Sequence, residues 1–206
     1  MQILGRTTSA NVQKVVWLMT ELGLAYERAD VGGKFGGNRT AEYLSMNPNG
    51  RVPTLIDGDE VIWESNTILR YLANQYGPTP LYPQDSVLRS ECERWMDWQL
   101  STLNAPMTPL FQMMVRMTPE QRDPEVVAKH LATARAEFEL LDTSLAARPY
   151  LGGEAFTLGD ICVGVIAYRW FELPIERGTP LPNLARWFEA VASRPGFQQH
   201  VVMPLS

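Results

Sequence analysis

The 206-residue chain has few of the residue types that mark secreted, metal-binding or nucleic-acid-binding proteins. Its two cysteines, Cys92 and Cys162, lie far apart within helical patterns, so we expect reduced, buried thiols rather than a disulfide framework. Its two histidines, His130 and His200, are distant from each other and from any acidic or cysteine cluster, and no zinc-binding spacing is present. The sequence therefore predicts no metal site.

Positive charge and long apolar runs are also scarce. The net charge is −5, so no general basic field attracts nucleic acid or acidic membranes, and we expect neither partner. Residues 161–168 are typical of the longest apolar stretches, which are far too short to span a bilayer. The chain becomes polar by Arg6, so no signal peptide is expected. These features predict a cytoplasmic protein.

The first part of the chain alternates strand and helix signals. Apolar residues at helical spacing end at Gly23, and a small acidic turn at residues 57–59 separates two short apolar runs, as in a hairpin. The predicted strands are residues 2–4, 26–31, 54–56 and 61–63, and the predicted helices are residues 11–22, 41–46 and 65–76.

A proline-bearing linker and a helical region follow. Residues 77–83 contain three prolines and predict the linker. We expect one long helix over residues 86–103, which Pro106 and Pro109 bend or end, and a second helix from the capping box at Thr118 to about residue 147. Shorter helices are predicted over residues 161–170, 182–191 and 196–199.

Thr157 and Asp160 form another capping box, in front of an apolar helix. An aspartate at this place could be catalytic. The spacing favours a structural role instead, in which the carboxylate binds backbone N–H groups and stabilises the helix by roughly 1 kcal/mol. We therefore expect Asp160 to cap the helix.

The most specific pattern lies between residues 47 and 68. A turn signal leads into Arg51-Val52-Pro53 at the head of a short strand, where proline belongs because it cannot donate to the sheet. If Pro53 is cis, the backbone of Val52 is turned outward with a free N–H and C=O. Glu64 and Ser65 open the next helix, and a serine at a helix start binds anions. An exposed backbone edge beside such a site suits a small peptide with a carboxylate.

This arrangement resembles the glutathione site of the glutathione S-transferase family, and the resemblance extends over nearly the whole chain. It implies a thioredoxin-like α/β domain at residues 1–77, a linker at residues 78–84 and an all-α domain at residues 85–206. It further implies a cytoplasmic homodimer that uses glutathione as co-substrate in detoxification and needs no metal. The second substrate would be a small electrophile or a disulfide.

The candidate catalytic groups lie between the first strand and the first helix. Ser9 and Asn11 are both good N-cap residues, and a structural role fits each of them as well as a functional one. A side-chain donor at a helix N-terminus also stabilises an anion, and a thiolate held there has a lowered pKa. Ser9 followed by Lys14-Val15 resembles the serine-using transferases of the phi and theta type, in which the serine hydroxyl donates to the glutathione sulfur.

Two alternatives to this mechanism stay open. The Ser9-Ala10-Asn11 run also resembles bacterial members of the family in which an asparagine shares or takes over the contact with sulfur, and some of those members reduce disulfides. The same fold is also reused as a non-catalytic binding module. No tyrosine precedes Tyr26 and no cysteine precedes Cys92, so mechanisms based on tyrosine or cysteine fit poorly.

The resemblance also implies which residues bind glutathione. The backbone of Val52, beside a cis Pro53, would pair with the cysteinyl part of the tripeptide. Glu64 would bind the ammonium of the γ-glutamyl end, and Ser65 would bind its carboxylate.

Two arginines complete the implied glutathione site. Arg51 stands where relatives often have Gln or Lys, and Arg39, next to Asn38, aligns with a His-Lys pair that meets the glycine carboxylate. The planar guanidinium fork suits a carboxylate, although outside this context both arginines would be interpreted as solvated surface charges.

The acceptor pocket is less well defined by the sequence. The resemblance implies an apolar pocket between the first helix and the long helices of the second domain. Methionine at helical spacing is more often part of a core, so no contact is predicted for the residues of this region, which are Asn104, Met107, Phe111, Met113 and Met114.

Overall fold

The computed structural model describes all 206 residues and begins with a four-stranded mixed sheet. The strands lie in the order β2-β1-β3-β4. β1 pairs in parallel with β2 and antiparallel with β3, which forms a hairpin with β4. This is the strand order of the predicted thioredoxin-like fold. The bounds are β1 Gln2–Leu4, β2 Glu27–Ala29, β3 Thr54–Asp57 and β4 Glu60–Trp63, so that β2 is shorter than predicted.

Three helices accompany the sheet. Because parallel strands need a crossover connection, α1 (Ala10–Glu21) joins β1 to β2. α2 (Ala41–Met46) precedes β3, and α3 (Ser65–Gln75) follows the hairpin. Residues 78–84, where the linker is predicted, form no helix or strand.

The first long helix does not end at Pro106 or Pro109, so that alternative of the prediction is wrong. Helical backbone continues from α4 (Ser86–Trp98) through a π-helical turn into α5 (Asn104–Phe111) and a second π-helical turn that ends at Arg116. In the first of these turns the N–H of Asn104 donates to the carbonyl of Gln99, one residue further back than in an α-helix. Such a wide turn shifts the hydrogen-bond pattern of the backbone, so the helix can continue past the prolines that follow, which have no N–H to donate.

The predicted start of the next helix is also wrong. The capping box at Thr118 opens only a single 3₁₀ turn, and α6 (Pro124–Ser144) begins after Asp123. Proline disfavours helical backbone in the residue before it, so Pro124 forces Asp123 into an extended conformation and ends the earlier turn. The carboxylate of Asp123 then caps α6 by accepting from the N–H groups of Glu125 (2.9 Å) and Val126 (3.4 Å).

The last three helices complete the core. α7 (Leu158–Glu172) is buried along most of its length and is followed by α8 (Pro182–Ala192) and α9 (Pro195–His200). A single cluster of 43 buried apolar residues extends through both the sheet and the helices. No helix combines the length and apolar character needed to cross a bilayer.

Candidate active site

Ser9 lies at the N-terminus of α1 with its hydroxyl free. Its backbone carbonyl accepts from the N–H of Gln13 (2.9 Å), so the residue is the N-cap, but its side chain makes no capping bond. The N-cap residues of α2 and α6, Thr40 and Asp123, do cap their helices with the side chain. The Ser9 hydroxyl therefore stays available to a ligand in the cleft that it lines.

The N-termini of α1 and α3 meet next to Ser9. The hydroxyl of Ser65, the first residue of α3, donates to Oδ1 of Asn11 in the first turn of α1 (3.3 Å). Both helix dipoles place partial positive charge at these ends, and together they make the site favourable for an anion. The structure thus brings together Ser9, Asn11 and Ser65.

The Val52-Pro53 peptide bond is cis, and two side chains hold the loop that precedes it. The carbonyl of Arg51 accepts from Oη of Tyr43 (2.6 Å) and from Nδ2 of Asn47 (2.8 Å). Burial raises the pKa of the Tyr43 phenol, which keeps it protonated as a donor. The N–H and C=O of Val52 make no hydrogen bond within the chain, so they form the exposed backbone edge that the sequence predicts.

Glu64 has the only positive φ angle outside glycine, at 68°. A residue with a Cβ is strained in this region, and such strain is concentrated at functional positions. Glu64 is exposed, precedes Ser65 and makes no capping bond, so its carboxylate is free beside the N-terminus of α3.

The remaining predicted glutathione residues lie around one loop. Nδ2 of Asn38 donates to the carbonyl of Gly50 (2.7 Å), which precedes Arg51. Gly50 has a φ of 59°, and a Cβ there would lie 2.8 Å from a guanidinium nitrogen of Arg39. Arg39 therefore packs against the loop that carries Arg51, and both arginines are exposed. No hydrogen bond or ion pair joins these residues directly to Ser9.

A cleft of about 160 Å³ lies between α1, α5 and α7, with Ser9 and Asn11 on one wall. Asn104 and Phe111 line it, whereas Met107 and Met113 are buried in the interior. The expectation of an apolar pocket is wrong for this cleft, because three arginines also line it. They are far apart in the chain, and no local pattern in the sequence could have linked them: Arg6, Arg116 and Arg169.

Comparison with known proteins shows the family of the chain. Residues 1–74 match the family model described as the glutathione S-transferase N-terminal domain, and residues 103–195 match the C-terminal domain. Glutathione S-transferase GstB of Escherichia coli K12 is 40% identical over 204 residues, which cover 98% of both chains. The chain belongs to the glutathione S-transferase family. Glutathione S-transferase 3 of Zea mays is 32% identical, over 98% of this chain and 93% of the plant protein.

The solved structures confirm the glutathione S-transferase fold. The theta class enzyme of Xanthomonas axonopodis pv. citri, solved with glutathione bound, superposes with a TM-score of 0.95 and 45% identity. The match covers all of this chain and 98% of that one. The prediction of a thioredoxin-like domain followed by a helical domain is therefore confirmed.

Proposed function

We propose that this protein is a glutathione transferase in which Ser9 donates its hydroxyl to the sulfur of bound glutathione. The observation that carries the proposal is the uncapped hydroxyl of Ser9 at the N-terminus of α1, which faces a cleft shared with the helical domain. A hydroxyl donor and a helix N-terminus both favour a thiolate over a thiol, and each unit by which the thiol pKa falls is worth about 1.4 kcal/mol.

Glutathione would lie along the edge of the sheet domain. The unpaired backbone of Val52 pairs with its cysteinyl unit, and Glu64 and Ser65 hold the γ-glutamyl ammonium and carboxylate. The exposed Arg39 and Arg51, with Asn38 bracing the loop between them, bind the glycine carboxylate. The glutathione bound in the Xanthomonas relative supports glutathione as the ligand.

The transfer itself needs little more than orientation and charge stabilisation. The thiol proton passes to solvent, and the thiolate attacks an electrophilic carbon in the cleft beside Ser9. Holding the two reactants together and stabilising the developing charge are the main sources of rate that such a site can supply.

Asn11 supports a second candidate, a glutathione-dependent disulfide reductase. Its side chain lines the same cleft, and its Nδ2 makes no hydrogen bond within the chain, so it too can donate to sulfur. If this mechanism dominates, disulfides are turned over faster than aryl halides, and Asn11→Ala lowers the rate more than Ser9→Ala does.

We further propose a cytoplasmic homodimer. Both cysteines are buried and free, as in proteins of reducing compartments. Large apolar side chains are exposed on β4 and at the start of α4, and a second copy would cover them: Val61, Trp63, Val87 and Leu88. Sedimentation velocity of the purified chain tests this assembly, and a monomer at micromolar concentration contradicts it.

Calorimetric titration of glutathione tests the binding site first. We expect the wild type to bind, and Arg51→Ala and Ser65→Ala to bind more weakly, because each loses a donor to a carboxylate. Arg94→Ala is the control, since Arg94 lies exposed on α4 outside the cleft. Absence of binding by the wild type would favour the non-catalytic binding module.

Steady-state kinetics with an aryl halide then test the role of Ser9. We expect Ser9→Ala to lower kcat/KM by roughly 100-fold, as loss of one donor to a developing anion does, while glutathione affinity persists. Ser193→Ala, which removes a hydroxyl at the end of α8, should leave kcat/KM unchanged. If Ser9→Ala keeps its full activity, Ser9 has only a structural role at the start of α1.

A further inference from the structure

Three guanidinium groups line the cleft beside Ser9, and none of them has a hydrogen-bond or ion-pair partner in the chain. Arg6 follows β1, Arg116 ends the π-helical turn after α5, and Arg169 lies in the last turn of α7. None of them takes part in an ion pair. Other arginines of the helical domain are satisfied: Arg177 donates to backbone carbonyls, and Arg194 pairs with Glu21.

Phe111 fixes two of these arginines in place. The guanidinium of Arg169 lies 4.0 Å from the centroid of the Phe111 ring, and that of Arg116 lies 5.5 Å from it. Stacking on an aromatic ring restrains a guanidinium group without using its N–H donors. Both groups are therefore held in position with their donors free for a ligand.

The positive charges of the cluster disfavour one another. Burial lowers the pKa of Arg169 to about 10, and the charges of Arg116 and Arg6 add to the shift. Burial and the charge of Arg116 likewise lower the pKa of Arg6. Unpaired like charges that are partly withdrawn from water are typical of sites that bind the opposite charge.

We propose that the cleft takes an acceptor substrate that carries a negative charge, held by Arg6, Arg116 and Arg169 next to the glutathione thiolate. The proposal rests on the transferase function proposed above and specifies its acceptor. The small volume of the cleft, about 160 Å³, fits a compact electrophile with a carboxylate, such as an α-halocarboxylate.

The chemistry of such a transfer balances without any further reactant. The glutathione sulfur forms a bond to the carbon that bears the halogen, and the carbon–halogen bond breaks as the halide leaves with the bonding electrons. The carboxylate is unchanged throughout and serves only as the group that the arginines hold.

Iodoacetate and iodoacetamide are the matched probes, because they have nearly the same size and reaction but differ in charge. The thioether product is quantified by chromatography, and each kcat/KM is divided by the uncatalysed rate constant with glutathione. We expect this normalised value to be at least about tenfold higher for iodoacetate, the effect of one charge-assisted hydrogen bond. Both probes also alkylate accessible thiols, but they should not inactivate this protein. Cys92 and Cys162 are buried, and burial raises the pKa of the Cys162 thiol to about 12.

The variants Arg116→Gln and Arg169→Gln test the assignment to these arginines. Each should lower the iodoacetate value about tenfold while leaving the iodoacetamide value and the KM for glutathione within about twofold. Arg116 is exposed, so its replacement should not disturb folding, and Arg169→Lys should restore part of the preference. Arg94→Gln is the matched control. Equal losses for both probes, or a raised glutathione KM alone, would overturn the proposal.

Binding of the two products separates this proposal from the transferase function. Calorimetry compares S-carboxymethylglutathione with S-carbamoylmethylglutathione, which need no catalysis. Tighter binding of the carboxylate form, lost in Arg116→Gln, supports an anionic subsite even if turnover is absent and the transferase proposal fails. Equal affinity for the two thioethers in the wild type overturns the anionic subsite even if the enzyme conjugates neutral acceptors.

Discussion

Lys14 is a buried cation whose partners are all neutral. It lies in α1 with no exposed surface, and its ammonium donates to Oδ1 of Asn66 (2.8 Å) and Oε1 of Gln99 (3.1 Å). These amides come from α3 and from the turn after α4, so the lysine links the sheet domain to the helical domain. Because no carboxylate pairs with it, burial lowers its pKa.

This lowered pKa should make the contribution of Lys14 to stability depend on pH. We expect the unfolding free energy of the wild type, relative to Lys14→Met, to increase as the pH rises from the lowered pKa of the folded lysine toward the value near 10.4 that lysine has in the unfolded chain. In this window the unfolded lysine still holds a proton that the folded lysine releases, and the gain is lost as the pH falls through the folded pKa.

Urea unfolding of both proteins at several pH values in this window measures the difference. Lys129→Met is the control, because Lys129 lies exposed on α6 and changing it removes no buried charge. A difference between wild type and Lys14→Met that stays constant with pH would show that the buried ammonium keeps its proton throughout.

At the residue scale, the sequence predicts where a functional side chain stands better than it predicts which other groups lie next to that side chain. Ser9 could be found because an N-cap residue must stand just before an apolar helix, but only the structure shows that its hydroxyl leaves the helix uncapped. Arg6, Arg116 and Arg169 could not be found, since the chain between them carries no periodic signal and their convergence depends on how the two domains pack.

At the scale of elements, the carboxylate of Asp160 caps α7 and also connects this helix to other segments of the chain. Its carboxylate accepts from the N–H and hydroxyl of Thr157 (2.8 and 3.0 Å), as the capping box predicts. It also accepts from the N–H of Leu151 (2.9 Å) and from Nε1 of Trp187 in α8 (2.8 Å). Burial raises the pKa of this carboxyl, and the donors around it oppose that shift.

We expect Asp160→Asn to lower the unfolding free energy by about 3 kcal/mol. The amide nitrogen of asparagine would face N–H donors, and buried hydrogen bonds to a charged acceptor are worth about 1.5–3 kcal/mol each. Thermal or urea unfolding measures the loss. Asp123→Asn makes the same exchange at the exposed cap of α6 and should change stability little, because asparagine caps helices as well as aspartate does. Equal effects in both variants would reduce Asp160 to an ordinary cap.

The bounds of a helix can be predicted from the sequence when the residues that begin and end it lie directly beside it. The bounds of α2 agree with the prediction because Thr40 caps it and the turn before Gly50 ends it. The run from α4 to Arg116 could not be predicted, because prolines disfavour a helix interior by about 3 kcal/mol each unless packing compensates. The buried faces of α5, with Met107 and Phe111 in the core, supply that compensation.

At the scale of the whole molecule, α1 holds the two domains together. Trp17 is fully buried against Phe156 and Phe197, with ring centroids 5.8 and 5.2 Å away. Its indole N–H donates to Glu21 (2.9 Å), which also forms a bidentate pair with Arg194. A glycine is required at position 196, since a Cβ there would lie 2.4 Å from the Trp17 ring. The sheet domain therefore cannot open from α9 without exposing a large aromatic surface.

His200 lies at this contact between α1 and α9, where we expect it to respond to acid. Its Nε2 lies 2.8 Å from the hydroxyl of Thr20, its ring lies 6.5 Å from that of Tyr26, and no carboxylate pairs with it. Burial lowers the pKa of His200 below its ordinary value of 6.5. In the unfolded chain the imidazole takes up a proton near that ordinary value, while the folded imidazole stays neutral until a lower pH.

Stability should therefore fall as the pH drops below about 6.5, because protons bind preferentially to the unfolded chain. The contribution is fully present above that pH and is lost as the pH falls through the folded pKa. Urea unfolding between about pH 7.5 and pH 5.5 should show a loss in the wild type that His200→Gln reduces and His130→Gln, which changes the only other histidine, does not. If both variants follow the wild type, docking of α9 on α1 is insensitive to the charge of His200, and the acid sensitivity of the fold arises from its carboxylates.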